Sequence, residues 1–385
     1  MLKTLTLKDF TAFAEAELEF CPGLNVVVGQ NGTGKTKLLK AAYLLNRAWP
    51  DLMLPQRPLT RKRAEEYFAG RIMNLFQPIT LANLIRHGSP GPCRIAGRVD
   101  GLLPTVVSSG FSAAELKELL AQFPFGCLTE PLYWNLTIQP EQDVTLTDTN
   151  VKLDAAEIPD TAAINTYVPK SLFLPTKEIV SMFEGLLALT LKYEIKLDDT
   201  YKDLLASMWL PELSQPPRLL VGVLEKLEKE LGGRLELAKG RLIFVGSDGT
   251  RTEGPLMAEG FAKLATLLFL FQRGVLSEKG ETLFWDEPEA NLNPTYIRMV
   301  ASALVWLAKD GLQVVIATHN LFLLREIEVV CRKPEYLDVP QRYFALSPGE
   351  KGVVVSQGKT IEQVDPLPLL DEDLAQSDRY METLE

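Results

Sequence analysis

Residues 2–8 alternate Leu, Thr and Lys as a half-exposed strand does, and ELEF ends a second strand. Cys21-Pro22-Gly23 then turns the chain into Asn25-Val26-Val27-Val28, a short buried strand. From Lys37 to Ala48 apolar residues recur at helical spacing, and Trp49-Pro50 is the expected stop. A short amphipathic segment runs to His87, HGSPGP reads as a turn, and RIAGRVDG reads as an edge strand. SAAELKELLAQF has a helix start, with Ser112 as N-cap and Glu115 at the third helical position. Residues 124–160 read as irregular strands and loops.

SLFLPTKEIVSMFEGLLALTLKYEI combines a buried strand, a proline-containing loop and a long helix. Another helix is expected over Leu219 to Leu231, closed by Gly232-Gly233. RLELAKGRLIFVGSDG is a hairpin pattern around Lys239-Gly240. TLFW and Gln313 to Ala317 are further buried strands, RYFALSPGEKGVVVS is a last hairpin, and an acidic tail follows. No heptad pattern persists over several turns and no internal repeat is visible. The order of elements predicts an α/β fold, a mixed sheet flanked by helices. Its core is expected in residues 1–50 and 240–350, with an inserted α+β lobe over 51–239 and a strand and tail over 351–385.

Composition narrows the partners. The hydrophobic fraction of 46% supplies a full core. A net charge of −10 provides no global field for nucleic acid, so DNA contact would need a local patch. Arg57, Arg61, Lys62, Arg63 and Arg71 form the densest positive stretch, either a solvated helix face or a phosphate-contacting surface. Cys21, Cys93, Cys127 and Cys331 are dispersed without a C-x-x-C pair, which suits a reducing cytoplasm and argues against zinc. LATLLFLF falls far short of the roughly 20 residues of a membrane span, and the start lacks a signal-peptide pattern.

The chemistry concentrates in three places. Gly29, Gln30, Asn31, Gly32, Thr33, Gly34, Lys35 and Thr36 fit the P-loop spacing G-x-x-x-x-G-K-[ST] between a strand and a helix. Glycines let backbone N–H groups wrap phosphates closely, and the helix directs its positive end at the same anion. Lys35 is expected to reach the β/γ-phosphates of ATP, and the Thr36 hydroxyl to ligate Mg²⁺. TLFWDEPEANLNP places Asp286 and Glu287 at the end of an apolar strand. There Asp286 can hold Mg²⁺ or its water, and Glu287 can act as general base. VVIATHN delivers His319 to the same edge as a γ-phosphate contact, and the absence of a G-x-S-x-G elbow removes support for a hydrolase triad.

This order of P-loop, DEPEANLNP and ATHN resembles ABC-type ATPases, within them the SMC, RecF and OLD-like branch. The opening Asp9-Phe10-Thr11-Ala12-Phe13 also fits that branch. The resemblance covers roughly residues 1–48 and 240–330. FLPTKEIVSMFEG is similar to a stretch of stand-alone bacterial members that lack a Toprim domain. It implies an ABC-type head with ATP sandwiched between two protomers, in a homodimer or higher homo-oligomer. Met257 to Phe261 then aligns with a signature that touches ATP in trans, through Ala258, Glu259, Gly260 and Lys263. The signature serine is here Ala258, losing a hydroxyl donor, and Lys263 is positioned to offset that loss. Asn291 falls at the D-loop, and Gln77 has the spacing of a Q-loop glutamine that contacts Mg²⁺. The alternative loop, Pro175-Thr176-Lys177-Glu178, offers no glutamine.

The resemblance implies an ATPase that couples dimerisation to DNA transactions or antiphage defence, with a nuclease or toxin acting in trans. An ATP-gated scaffold with very slow hydrolysis is the alternative that Ala258 motivates. A transporter nucleotide-binding subunit fits less well, given the long stretch between the motifs.

Overall fold

Every residue of β3 (Leu24–Gly29) is buried, and its side chains divide by parity. Leu24, Val26 and Val28 enter one hydrophobic core and Val27 the other. The same division recurs in β11 (Thr282–Asp286) and β12 (Gln313–Thr318): Leu283, Trp285, Val314 and Ile316 face one way, Phe284, Val315 and Ala317 the other. Strands covered on both faces carry no polar alternation, which is why these segments read as continuous apolar runs.

The computed structural model describes residues 1–52, 60–100, 131–140, 143–149, 170–193, 196–215, 217–365 and 368–383. Its centre is an 11-stranded mixed sheet. The antiparallel wing comprises β1 (Leu2–Phe10), β2 (Phe13–Glu19), β4 (Cys93–Val99), β5 (Leu132–Ile138) and β6 (Val144–Thr149). The other half adds β7 (Ser171–Leu174) and the hairpin of β13 (Gln341–Gly349) and β14 (Gly352–Gly358). The strand order is β6-β5-β4-β1-β2-β14-β13-β3-β12-β11-β7, and β3, β12, β11 and β7 run parallel. Their C-terminal ends therefore open on one edge, where ligand sites of such sheets form.

One face of the sheet carries α1 (Lys35–Leu52) and α2 (Arg61–Phe76). The other carries α5 (Val221–Leu231), α6 (Glu259–Gln272), α7 (Pro294–Lys309) and α8 (Leu321–Cys331). Shorter helices α3 (Phe183–Lys192) and α4 (Asp199–Met208) follow β7, and α9 (Pro368–Glu382) ends the described chain. Ion pairs fasten α4 across to α1 and α2. Lys40 pairs with Asp198, the Tyr43 hydroxyl donates to Asp203 at 2.7 Å, and Arg71 bridges Asp199 at 2.9 Å and Asp203 at 2.7 Å. A separate small sheet holds β8 (Gly233–Ala238), β9 (Arg241–Gly246) and β10 (Arg251–Glu253). Its expected hairpin turns at Lys239 and Gly240, both at positive φ (53° and 80°), the geometry of a tight two-residue turn.

Several sequence expectations change. RIAGRVDG does not form an edge: β4 lies between β1 and β5. Among the described residues of 124–160, β5 and β6 are antiparallel strands whose register shifts once, between Asn135 and Leu136. The described residues of 51–239 are not a lobe apart from the core, because β4, β5 and β6 extend the main sheet and β7 joins its parallel half. β14, placed outside the core by the sequence, pairs with β13 along its whole length. α1 runs past Trp49-Pro50 to Leu52, with Pro50 in its last turn. The helix expected at 112–123 lies outside the described residues. Among the described residues no helix is long and apolar enough to cross a membrane.

Candidate functional site

The parallel register brings the motifs together. β11 pairs with β12 up to Asp286 opposite Ala317, and the ladder continues one step further as the Glu287 N–H donates to the Ala317 carbonyl at 2.9 Å. Glu287 meets that bond with a left-handed backbone (φ 48°), a strained conformation for a glutamate. The turn directs its carboxylate sideways, and Glu287 Oε1 lies 2.9 Å from His319 Nδ1, beyond the end of β12. The Thr318 hydroxyl donates to Glu289 Oε1 at 2.6 Å, tying the two strand ends together again.

β3 delivers the P-loop to the same edge. The Lys35 ammonium donates to the carbonyls of Gly29 (2.8 Å) and Gln30 (3.0 Å), closing the loop on itself. Burial lowers the Lys35 pKa, and the neighbouring Glu287, Asp286 and Glu289 carboxylates oppose that effect. Gly29 is needed for close approach, since a Cβ there would stand 2.8 Å from Thr33 Oγ1 and 2.9 Å from the Leu346 carbonyl. Gly34 has φ +87° and would place a Cβ 3.0 Å from the Phe13 ring, so the first hairpin buttresses the loop.

The Thr36 hydroxyl donates to Asp286 Oδ2 at 2.8 Å, joining the P-loop helix to the end of β11. Burial raises the Asp286 pKa, and hydrogen bonds from Thr36 and Thr176 counteract it. Asp286 Oδ1 is buried without a hydrogen-bond partner. One hydroxyl plus one carboxylate with an unused oxygen fits Mg²⁺, which takes few protein ligands and completes its octahedron with phosphate oxygens and water. Among the described residues no cluster of His, Cys, Asp and Glu forms an all-protein metal site.

Two site expectations need correction. Gln77 caps the C-terminus of α2 at φ 47°, and its amide donates to the Lys196 carbonyl at 3.1 Å. The loop that hydrogen-bonds Asp286 is instead the one after β7, through the Thr176 hydroxyl at 3.0 Å. Sequence reasoning missed Thr176 by seeking a glutamine; the signal was position, since Pro175-Thr176 directly follows an apolar strand. Lys263 is 5% exposed and its ammonium donates to the Ala290 carbonyl at 3.0 Å. That side chain is spent within its own chain rather than offered to a second protomer's ATP.

The remaining signature residues open α6. Gly260 lies against the D-loop so closely that a Cβ would meet Leu292 Cδ2 at 2.2 Å and the Asn291 carbonyl at 2.8 Å. Asn291 has φ 64°, a conformation asparagine tolerates. Glu259 is in the first turn of α6, where a carboxylate suits the helix dipole. Ala258 is the N-cap and supplies no side-chain hydrogen bond. Ala258→Ser is therefore expected to stabilise the fold by about 1 kcal/mol through a new cap, read as a rise in melting temperature. An unchanged or lower melting temperature would show that this helix start does not accept the bond.

The arginine-rich stretch is largely committed to internal pairs. Arg71 is held by Asp199 and Asp203, Arg61 pairs with Glu65, and the exposed Lys62 pairs with Glu66. Arg63 also has a partner, and Arg57 lies outside the described residues. Of the two readings of this stretch, these pairings favour the solvated helix face.

The chain is similar to several known proteins. A family model described as "AAA domain, putative AbiEii toxin, Type IV TA system" matches residues 178–325, and an AAA domain model matches residues 4–42. The DNA replication and repair protein RecF of Magnetococcus marinus is 57% identical over 44 residues, 11% of this chain and 12% of the relative. RecF of Erwinia tasmaniensis is 31% identical over 120 residues, 31% of this chain and 30% of the relative. The chain thus spans less than a third of the length of these curated relatives. A crystal structure of an SMC head bound to the C-terminal winged-helix domain of ScpA superposes with a TM-score of 0.54 at 15% identity, covering 94% of this chain and 98% of that one. The SMC-head-like fold, the P-loop, the strand-end carboxylates Asp286 and Glu287, and the AAA and RecF likenesses together support an ABC-type P-loop ATPase of the SMC/RecF branch.

Proposed function

We propose that the chain binds and hydrolyses Mg-ATP, closes head to tail on a second copy, and couples that cycle to DNA transactions or antiphage defence through an effector in trans. The observation that carries this is the Glu287–His319 pair standing beside the Asp286–Thr36 pair on one sheet edge. His319 Nδ1 holds one Glu287 oxygen, which orients the carboxylate and leaves Oε2 to take a proton from the attacking water. The P-loop amides and Lys35 orient the triphosphate, and Thr36 with Asp286 would hold Mg²⁺. When bound, Mg²⁺ neutralises charge developing on the β- and γ-phosphate oxygens. The RecF relatives' name supports a DNA role, and the family description that mentions a toxin–antitoxin system supports an effector in trans.

Phosphate release with ATP and Mg²⁺, with and without DNA, tests the reading. Turnover is expected with Mg²⁺ and not with EDTA. Absence of ATP binding would overturn the proposal. The uncapped Ala258 favours a second reading, a nucleotide-gated scaffold that hydrolyses very slowly. That reading expects tight ATP binding with turnover near background, regardless of DNA.

A further inference from the structure

Asp286 is held from two sides. The Thr36 hydroxyl at 2.8 Å and the Thr176 hydroxyl at 3.0 Å both donate to Oδ2, while Oδ1 is buried without a partner. A carboxylate gripped by one oxygen cannot rotate about its Cβ–Cγ bond without breaking both hydrogen bonds. Its second oxygen is thereby fixed in direction.

The second donor is built into the fold. β7 pairs in parallel with β11 up to Leu174 opposite Trp285, so the next residues of each strand emerge side by side. Glu178 then closes the loop by accepting from the Ser181 N–H at 3.1 Å. α4 packs directly against β7, the strand that leads into this loop. α4 is itself tied to the P-loop helix through Lys40–Asp198 and Tyr43–Asp203. Thr176 therefore belongs to a braced loop rather than a free one.

We propose that Thr176 is a positioning residue which, from the loop after β7, fixes the Asp286 carboxylate so that Oδ1 is presented to a divalent cation. The inference rests on the Mg-ATP reading above and refines it. Thr176 acts through Asp286 and need not touch nucleotide. A partner that orients a metal-binding carboxylate in this way governs affinity for the ion by about 10- to 100-fold.

The test is binding of a fluorescent ATP analogue titrated with Mg²⁺, in wild type, Thr176→Val and Thr176→Ser. In EDTA all three are expected to bind the analogue equally, because Thr176 makes no phosphate contact. With Mg²⁺, Thr176→Val is expected to need about tenfold or more higher concentration to reach half of the wild-type tightening, and Thr176→Ser to match wild type. Equal Mg²⁺ dependence in wild type and Thr176→Val overturns the proposal. So does an equal shift in the serine variant, because the hydroxyl would then not be the active feature. If Thr176→Val fails to fold, Thr176→Ala replaces it under the same criteria. If wild type itself binds the analogue without any response to Mg²⁺, it is the Mg-ATP reading that fails.

Discussion

Glu287→Gln is expected to reduce ATP turnover by about 10²- to 10⁴-fold, the range over which a positioned general base acts. The substitution removes the basic oxygen and little else. An amide has the carboxylate's shape, and its oxygen can still meet His319 Nδ1 at the 2.9 Å now occupied by Oε1. The left-handed backbone at Glu287 is set by the N–H bond to Ala317, which the variant retains. Folding and ATP binding should therefore persist while the proton acceptor is lost. The stalled protein should accumulate as an ATP-bound dimer, visible by light scattering with ATP and Mg²⁺. Turnover within a few-fold of wild type would show that another group takes the proton. A strictly monomeric stalled protein would remove the sandwich from the proposal. That outcome would also fit the corrected role of Lys263, whose ammonium is tied to Ala290 rather than free for a second protomer.

The sequence shows the parallel half of the sheet because each strand there is a continuous apolar run ending in a chemical motif. Gly29 to Thr36, Asp286-Glu287 and Thr318-His319 all lie where the pattern of buried strand followed by polar residues puts them. The antiparallel wing was harder to read. β4 looks like an edge strand because its burial comes from β1 and β5, partners distant in sequence. Local alternation reports one polar face but not which neighbours cover it. The same limit applies to β7, which reads as a buried strand in the sequence but stands next to β11 only through long-range pairing. Gln77 and Thr176 differ in this respect alone. Gln77 has the side chain that motif reasoning seeks, while Thr176 has the position that sheet topology dictates. Lys263 and Arg71 carry a related lesson. A cation in the sequence shows charge, but burial against a carbonyl or a carboxylate pair decides whether that charge is available.

Lys35→Ala is expected to weaken ATP binding by roughly 100-fold or more, equivalent to about 3 kcal/mol. Its ammonium is the cation that the P-loop carries at its own helix start, and hydrogen bonds between charged groups contribute about 1.5–3 kcal/mol each. In the structure that ammonium bonds Gly29 and Gln30 carbonyls, so it can exchange loop oxygens for phosphate oxygens with little movement. Alanine removes the donor and also a positive charge facing Asp286, Glu287 and Glu289. An incoming triphosphate would then meet an uncompensated carboxylate cluster, which compounds the loss. The fold should survive, because α1 is held by Leu38, Leu39, Ala42, Tyr43 and Leu45 in the core, none of which contributes to the loop. Circular dichroism and a melting curve check that half of the expectation, and equilibrium binding of ATP checks the other. Wild-type affinity in a folded Lys35→Ala protein would disprove the P-loop assignment. Lys35→Arg separates charge from geometry. Its longer planar head keeps the cation but cannot be satisfied by the same two loop carbonyls, so it should recover only part of the lost affinity.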